Sequence, residues 1–255
     1  MIKKVYYQIL FYVALIAVWQ LVFHIGTTAL GWWKPHAFPN PFGVWQSLIT
    51  MLRQNLLFTA ISSSMRRALY GFLISILIGL ATGIILSKMH RLAEIVKPLI
   101  LGIQSLPSVC WVPFAILWFG LTESSIIFVL VIGSAFSISI AVESAIRNVN
   151  PLYIKAAKTM GARNIALYLR VVFPAGLPAL ITGLKLGWSF AWRALMAAEV
   201  MSATIGLGQT LMMGRDLADI NRVMLIITII IIIGVVIEKF VFSLAEERVL
   251  KRMGL

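Results

Sequence analysis

The sequence predicts an all-α integral membrane protein with about six transmembrane helices. Of its 255 residues, 60% are apolar and only 12% are charged, whereas a soluble domain is about 45–50% apolar and about 25% charged. Too few charged side chains remain to cover a water-facing surface, which excludes a soluble globular protein. The high hydrophobicity also excludes a disordered chain.

The charge balance narrows the class further. The chain carries 22 Lys and Arg against 9 Asp and Glu, a net charge of +13. A basic excess can indicate nucleic-acid binding, but these charges lie between apolar runs, as is typical of cytoplasmic loops in membrane proteins. We therefore expect a membrane and no nucleic acid as the partner. The single cysteine, Cys110, lies in an apolar run and is expected to be a small core residue.

Six apolar runs are predicted to span the membrane. They cover about residues 5–25, 67–87, 96–119, 124–145, 174–200 and 223–242. The first is too long for the apolar part of a signal peptide, so we interpret it as an uncleaved helix. Trp32 and Trp33 in the following loop suit the membrane interface, and residues 44–57 are predicted to form an amphipathic helix too polar to span. Pro98, Pro107 and Pro113 predict that the third span is broken or packed against neighbouring helices.

The basic residues indicate an orientation. With six spans, both termini lie on one side of the membrane, and fourteen of the 22 basic residues fall on that side. Six fall on the other side, and Lys185 and Arg193 lie within the fifth span. The positive-inside rule then places both termini in the cytoplasm. Arg66 and Arg67 are exceptions, which places them either at the outer interface or in the protein interior.

The long connection over residues 147–173 is the most informative segment, because ordinary connections have about 4–6 residues and longer ones are usually functional. Asn150 suits a helix N-cap, Pro151 the first helical position and Gly161 the left-handed position past the end. They predict a helix over 151–160 that is far too short to span, and Asn164 is expected to cap a second helix. One side of the first helix is apolar: Leu152, Tyr153, Ala156, Ala157 and Met160. The other side carries Lys155, Lys158 and Thr159. The helix either lies on the bilayer surface or docks onto a cytoplasmic partner.

This segment resembles the EAA loop of permeases from ATP-binding-cassette (ABC) importers. The resemblance is carried by Lys155-Ala-Ala-Lys-Thr-Met-Gly161-Ala162 and by Val171-Val-Phe-Pro174-Ala-Gly-Leu-Pro178. Lys155 departs from the family pattern, because it stands where Glu is usual. The resemblance implies that the short helix is a coupling helix, which docks into a groove of the ATPase subunit. The implied contact residues are Pro151, Leu152, Tyr153, Ala156, Ala157, Met160, Gly161 and Ala162.

Four other blocks resemble the sulfonate, nitrate and taurine permeases of that family. They are Phe38-Pro-Asn-Pro-Phe-Gly-Val44, Ser63-Ser-Met-Arg-Arg67-Ala-Leu-Tyr-Gly71-Phe, the stretch from Leu106-Pro107 to Trp118-Phe-Gly120, and Ala198-Glu199 to Gly206-Leu-Gly208. The implied fold is that of a type I (MetI-like) ABC-importer permease. The implied machine is a homodimer with two ATPase subunits and an extracytoplasmic solute-binding protein, which works by alternating access in the bacterial cytoplasmic membrane.

The sequence has no phosphate-binding loop of the form G-x-x-x-x-G-K-[ST]. It also has no H-E-x-x-H or other metal-ligand pair, and His24, His36 and His90 occur singly. We therefore expect no catalytic site, no metal site and no cofactor, with ATP and Mg held by the partner ATPase. Within this frame the expected divisions are residues 1–58, a permease core over 59–245 and a cytoplasmic tail over 246–255.

Charges within a membrane span are candidates for the translocation pathway. Lys185 lies near mid-membrane, where it either faces the pathway of an anionic solute or pairs with another helix. Arg193 and Glu199 lie further out, where their side chains can snorkel, and Glu199 is expected at a gate or at the binding protein. The candidate pathway residues are Lys185, Trp188, Arg193, Glu199, Pro107 and Trp111.

These candidates suggest an aliphatic sulfonate, taurine or nitrate type of solute. Two alternatives stay open. One is an ABC permease for a neutral vitamin-precursor heterocycle. The other is an ion-coupled secondary transporter that uses Lys185, Glu199 and Glu143.

Overall fold

The computed structural model describes residues 2–34 and 37–252, so Pro35 and His36 in the first loop and residues 253–255 of the tail lie outside it. The described part is helical and contains no β-strand. Its α-helices are α1 Ile2–His24, α2 Pro41–Arg53, α3 Leu56–Lys88, α4 His90–Ser105, α5 Val112–Phe119, α6 Glu123–Arg147, α7 Pro151–Thr159, α8 Asn164–Leu167, α9 Phe173–Val200, α10 Leu207–Asp216, α11 Ile220–Ile237 and α12 Leu244–Arg252. Two short π-helical turns join α8 to α9 and α11 to α12.

Within the described residues, four helical segments are long and apolar enough to cross a membrane. They are Leu56–Lys88, Glu123–Arg147, Asn164–Val200 and Ile220–Lys251. A bent pair, His90–Ser105 with Ser108–Phe119, makes a fifth if it is taken as one span. The predicted first span is helical, but its apolar part, Val13–Thr28, is shorter than a full span. Among the described residues there are thus four spans, or five with the bent pair, against the expected number of about six.

The predicted break in the third span is confirmed. The two helices of the pair meet at 93°, and the break falls at Leu106 and Pro107. Leu106 is extended (φ −73°, ψ 127°), as expected for a residue that precedes proline. Pro98 lies inside α4 and Pro113 in the first turn of α5, so only one of the three prolines marks the break. Cys110, expected in the core, is exposed in the short turn that follows.

Two predicted boundaries are wrong, namely the end of the amphipathic helix and the start of the second span. The amphipathic helix ends at Arg53, and α3 starts at Leu56, well before the predicted residue 67. The first turns of α3 look too polar for a span, but buried residues recur along them every three or four positions. These are Leu57, Ala60, Ser64, Arg67, Ala68 and Gly71. The polar side chains of this stretch therefore include residues that face the protein rather than the lipid.

The centre of the molecule is formed by α3, α6 and α9, which pack closely through small residues, as is common between membrane helices. A side chain at Gly79 or Gly83 of α3 would overlap α6, since a Cβ would lie 2.6 Å from Ile138 or from the Ser139 carbonyl oxygen. Gly183 and Gly187 of α9 also approach α6 closely, beside Ala141 and Ile138. This packed centre holds the sites described below in fixed relation.

Candidate functional site

The predicted short helix of the 147–173 connection is present as α7. The Asn150 side chain accepts a hydrogen bond from the Leu152 N–H at 2.9 Å, and Pro151 occupies the first turn. Gly161 follows the helix in the left-handed region, with φ +87°. The local sequence therefore sets both ends of α7 to within one residue. Helix α8 follows at Asn164–Leu167, but its N-cap is Arg163 rather than the predicted Asn164, and no side chain caps it.

Most of the apolar side of α7 is exposed to solvent within this chain. The exposed fractions of Leu152, Tyr153 and Met160 are 67%, 57% and 81%, and Ala156 is also exposed. We call these four residues the α7 surface. Exposed apolar residues clustered in this way mark an interaction site.

Two of the predicted contact residues, Ala157 and Ala162, face the rest of the chain instead of the solvent. Ala157 is only 2% exposed and packs in a small core with Val149, Leu167 and Val172, and Ala162 packs against the same core. The prediction that Ala157 contributes to a docking face is wrong, because it fixes α7 to the connection that carries it. Pro151 and Gly161 stay exposed beside the α7 surface.

A cluster of buried charges lies where α3, α9 and α10 meet. The Glu199 carboxylate is 0% exposed. It accepts hydrogen bonds from the Ser64 hydroxyl (2.8 and 2.7 Å), from Arg67 Nη1 (2.8 Å) and from the Gly208 backbone N–H (3.0 Å). The other terminal nitrogen of Arg67 lies 3.1 Å from Glu123. We call Ser64, Arg67, Glu123, Glu199 and the Gly208 N–H the Glu199 cluster.

The cluster explains the glycines of the Gly206-Leu-Gly208 block. A Cβ on Gly206 would lie 2.5 Å from the Glu199 carboxylate, and a Cβ on Gly208 would lie 2.8 Å from the Val200 backbone nitrogen. The Ser64 hydroxyl also accepts a hydrogen bond from the Leu207 N–H at 2.9 Å. The loop after α9 is therefore wrapped tightly around a carboxylate.

The same cluster decides the open question about the two arginines. Arg67 is 3% exposed and lies in the interior, whereas Arg66 lies at the surface and pairs with Glu123. The expectation that Glu199 snorkels is wrong, because its carboxylate has no exposed surface and its partners are all within the chain. Arg193 and Glu199 do not pair with each other, because the Glu199 carboxylate is engaged by Arg67.

Two further charged residues of the core are also paired. Glu143 is buried and lies 2.8 Å from Lys97 and 2.9 Å from Arg147. Lys185 lies 3.4 Å from Glu238 and 3.3 Å from the Ser243 hydroxyl. Of the two roles open to Lys185, the geometry thus favours the interhelical pair.

Three candidate pathway residues come together at the break of the third span. Pro107, Trp111 and Arg193 line a cavity of about 310 Å³, which we call the break cavity. Trp188 instead packs in an aromatic group with Phe72 and Trp192, at the edge of a second cavity of about 300 Å³ that Arg193 also borders. Lys185 and Glu199 line neither cavity.

Sequence reasoning missed the polar residues that share the break cavity, among them Gln104 and Ser108. The indication available in the sequence was that both residues lie within three positions of Pro107. No group of three His, Cys, Asp or Glu residues suited to a metal ion occurs in the described part of the chain.

Comparisons with known proteins agree with this architecture. Residues 71–251 match the family described as the inner membrane component of binding-protein-dependent transport systems. A putative ABC transporter permease protein of Methanocaldococcus jannaschii is 34% identical over 177 residues, which cover 69% of this chain and 66% of that protein, slightly under two thirds of its length. A putative aliphatic sulfonates transport permease protein of Escherichia coli strain K12 is 31% identical over 222 residues, which cover 87% of this chain and 82% of the relative.

A solved structure shares the fold. The methionine ABC transporter MetNI in an inward-facing conformation matches with a TM-score of 0.65 at 20% identity, covering 77% of this chain and 97% of that one.

Proposed function

The chain belongs to the family of inner membrane components of binding-protein-dependent transport systems, and from this premise we propose that it forms the homodimeric permease of an importer for a small anionic solute. As an ABC permease it is a multi-pass membrane subunit and not an enzyme, and ATP hydrolysis takes place on a partner ATPase. A binding protein delivers the solute.

The α7 surface is the observation that supports this proposal most directly. Leu152, Tyr153 and Met160 expose apolar side chains on a helix too short to span, and Ala157 anchors that helix to the rest of the chain. A rigid helix with a free apolar face suits insertion into a groove. We propose that each permease copy docks one ATPase subunit here and that ATP and Mg bind only to those subunits.

The proposed orientation follows the same surface. If α7 contacts a cytoplasmic ATPase, then Lys155, Lys158 and Arg163 of this connection lie in the cytoplasm, together with both termini. Basic cytoplasmic loops agree with the positive-inside rule. Lys155 stands where Glu is usual, so the edge of the partner groove is expected to differ in charge there.

An anionic solute is proposed because a relative over most of the chain is described as an aliphatic sulfonates permease. Taurine and nitrate are of the same chemical kind, and a neutral heterocycle is the second candidate. An ion-coupled secondary transporter has less support, because its three candidate groups, Lys185, Glu199 and Glu143, already have partners within the chain.

Purification from native membranes tests the function. We expect an ATPase subunit to copurify and Met160→Asp to abolish copurification, because a charge would enter the apolar groove. Lys158→Asp introduces an acidic side chain at an exposed position on the opposite side of α7 and is expected to retain the ATPase. Solute uptake that persists without any ATPase and stops when a proton uncoupler is added would contradict the proposal.

A further inference from the structure

We propose that Arg193, Gln104 and Ser108 form a binding subsite for the oxyanion group of the transported solute, inside the break cavity. The inference rests on the proposed function and deepens it, because it assigns the recognition of the anion to particular side chains. It also separates Arg193 from Lys185, the other cation of the same helix.

The break cavity has the size and position of a solute site. Its volume of about 310 Å³ lies at the lower end of the range for small-molecule sites, about 300–1,000 Å³. It lies against the 93° break, and α6 and α9 form its other walls through Gly133 and Phe190. A Cβ on Gly133 would lie 2.8 Å from that of Ala194, so the absence of a side chain at Gly133 allows α6 and α9 to approach closely beside the cavity.

Arg193 brings a positive charge that nothing in the described chain neutralises. Its Nε donates a hydrogen bond to the Ser189 carbonyl at 3.0 Å, and its guanidinium carbon lies 4.8 Å from the centroid of the Phe190 ring. These contacts fix the direction of the guanidinium and leave both terminal nitrogens as donors. No described carboxylate lies within ion-pair distance of Arg193, and no acidic residue lines the break cavity.

The other basic residues near the core differ from Arg193 in this respect. Both terminal nitrogens of Arg67 are engaged by carboxylates, at 2.8 and 3.1 Å. Lys185, two turns earlier on α9, is paired with Glu238 and the Ser243 hydroxyl. A cation within a membrane span is a candidate functional group. Arg193, which is exposed at the cavity within this chain, is the one of these three that lacks a counter-ion.

Two uncharged donors complete the subsite. Gln104 and Ser108 line the same cavity and are half-buried. Neither side chain makes a hydrogen bond with any other described residue. The cavity therefore offers a guanidinium, an amide and a hydroxyl to one solute. A guanidinium fork matches the oxygens of sulfonate or nitrate better than a lysine ammonium does.

The test uses the complete transporter, with ATPase and binding protein, reconstituted in proteoliposomes and supplied with radiolabelled taurine, methanesulfonate or nitrate in separate assays. Arg193→Gln is expected to lower ATP-dependent uptake by at least about tenfold while binding-protein-stimulated ATP hydrolysis persists, because a charge-assisted hydrogen bond is lost. Arg193→Lys should give an intermediate rate. The matched control, Lys185→Gln, should stay within about twofold of the native rate, because that lysine belongs to a partly exposed pair.

Unchanged uptake by Arg193→Gln would overturn the inference. It would also be overturned if the native transporter imported a neutral heterocycle with ATP and none of the three solutes that carry a sulfonate or nitrate group, although the permease function would then stand. Failure of the proposed function itself has a different signature, namely no copurifying ATPase and no ATP dependence for any solute.

If the transporter with Arg193→Gln does not assemble, a second variant tests the proposed subsite. Gln104→Leu, at a residue that packs in no core cluster, should reduce uptake of the imported anion severalfold, and an unchanged rate would overturn the inference. In the native complex, methanesulfonate should raise the midpoint temperature of unfolding, whereas the neutral isostere methanesulfonamide should not.

Discussion

The Glu199 cluster and the α7 surface use polar and apolar residues in opposite ways. In the cluster, a membrane helix buries charges, and every carboxylate oxygen of Glu199 finds a donor within the chain. On α7, a helix outside the membrane exposes large apolar side chains that find no cover within it. Composition alone would place charges outside and apolar residues inside. We infer that groups with partners inside the chain belong to its fixed structure. Groups that lack such partners, such as the exposed apolar side chains of α7, indicate where another molecule binds.

The largest effect on stability is expected when one charge is removed from the Glu199 cluster. Arg67→Leu leaves the Glu199 and Glu123 charges without their shared cation, and we expect the free energy of unfolding to fall by about 3–5 kcal/mol, as for other broken buried ion pairs. Arg66→Leu is the matched control, because Arg66 is exposed and should contribute no more than about 1 kcal/mol. Denaturation of the detergent-solubilised protein measures both, and equal stabilities would contradict the distinction.

The tight loop around Glu199 gives the next largest effect. Gly208→Ala places a Cβ 2.6 Å from that of Glu199 and 2.8 Å from the Val200 nitrogen, so the loop must shift, at a cost of about 1–3 kcal/mol. Gly102→Ala is the control, since nothing lies within 4 Å of its Cβ and its helix is not strained. Midpoint temperatures that fall equally in both variants would show that the loop is not closely packed.

The last prediction concerns the buried and the exposed side of α7. Ala157→Trp overfills the small core beneath the helix and should cost about 1–3 kcal/mol, whereas Ala156→Trp on the neighbouring exposed position should leave stability unchanged. Ala156→Trp should nevertheless weaken ATPase binding, because it alters the α7 surface. Thermal unfolding and copurification measured on the same samples separate the two effects, and loss of stability in Ala156→Trp would refute the division of the helix.

The parts of the molecule that the sequence predicts are those encoded by neighbouring residues. Asn150, Pro151 and Gly161 define α7 because a cap, a fixed φ and a left-handed position act within one or two turns. Periodicity alone does not tell which apolar residues face a partner, so Ala157 was assigned to the wrong side. The prolines predict a break in the third span, but they do not distinguish Pro107 from Pro98 or Pro113.

The long-range contacts were beyond local reasoning. Glu199 stands out as a charge in a span, yet its partners Ser64 and Arg67 are 135 and 132 residues away. No local pattern encodes such a pairing. The anomaly of two arginines on the sparsely charged side was the one available indication, and it pointed to Arg67 without identifying its counter-ion.

The separation of Arg67 from Glu199 imposes an order on biosynthesis. At about 5–20 residues per second, the ribosome makes Glu199 on the order of ten seconds after Arg67. Helix α3 therefore enters the membrane with an arginine whose principal counter-ion does not yet exist. Glu123, only 56 residues further on, is synthesised much sooner, so it is the first of the two carboxylates that becomes available to Arg67.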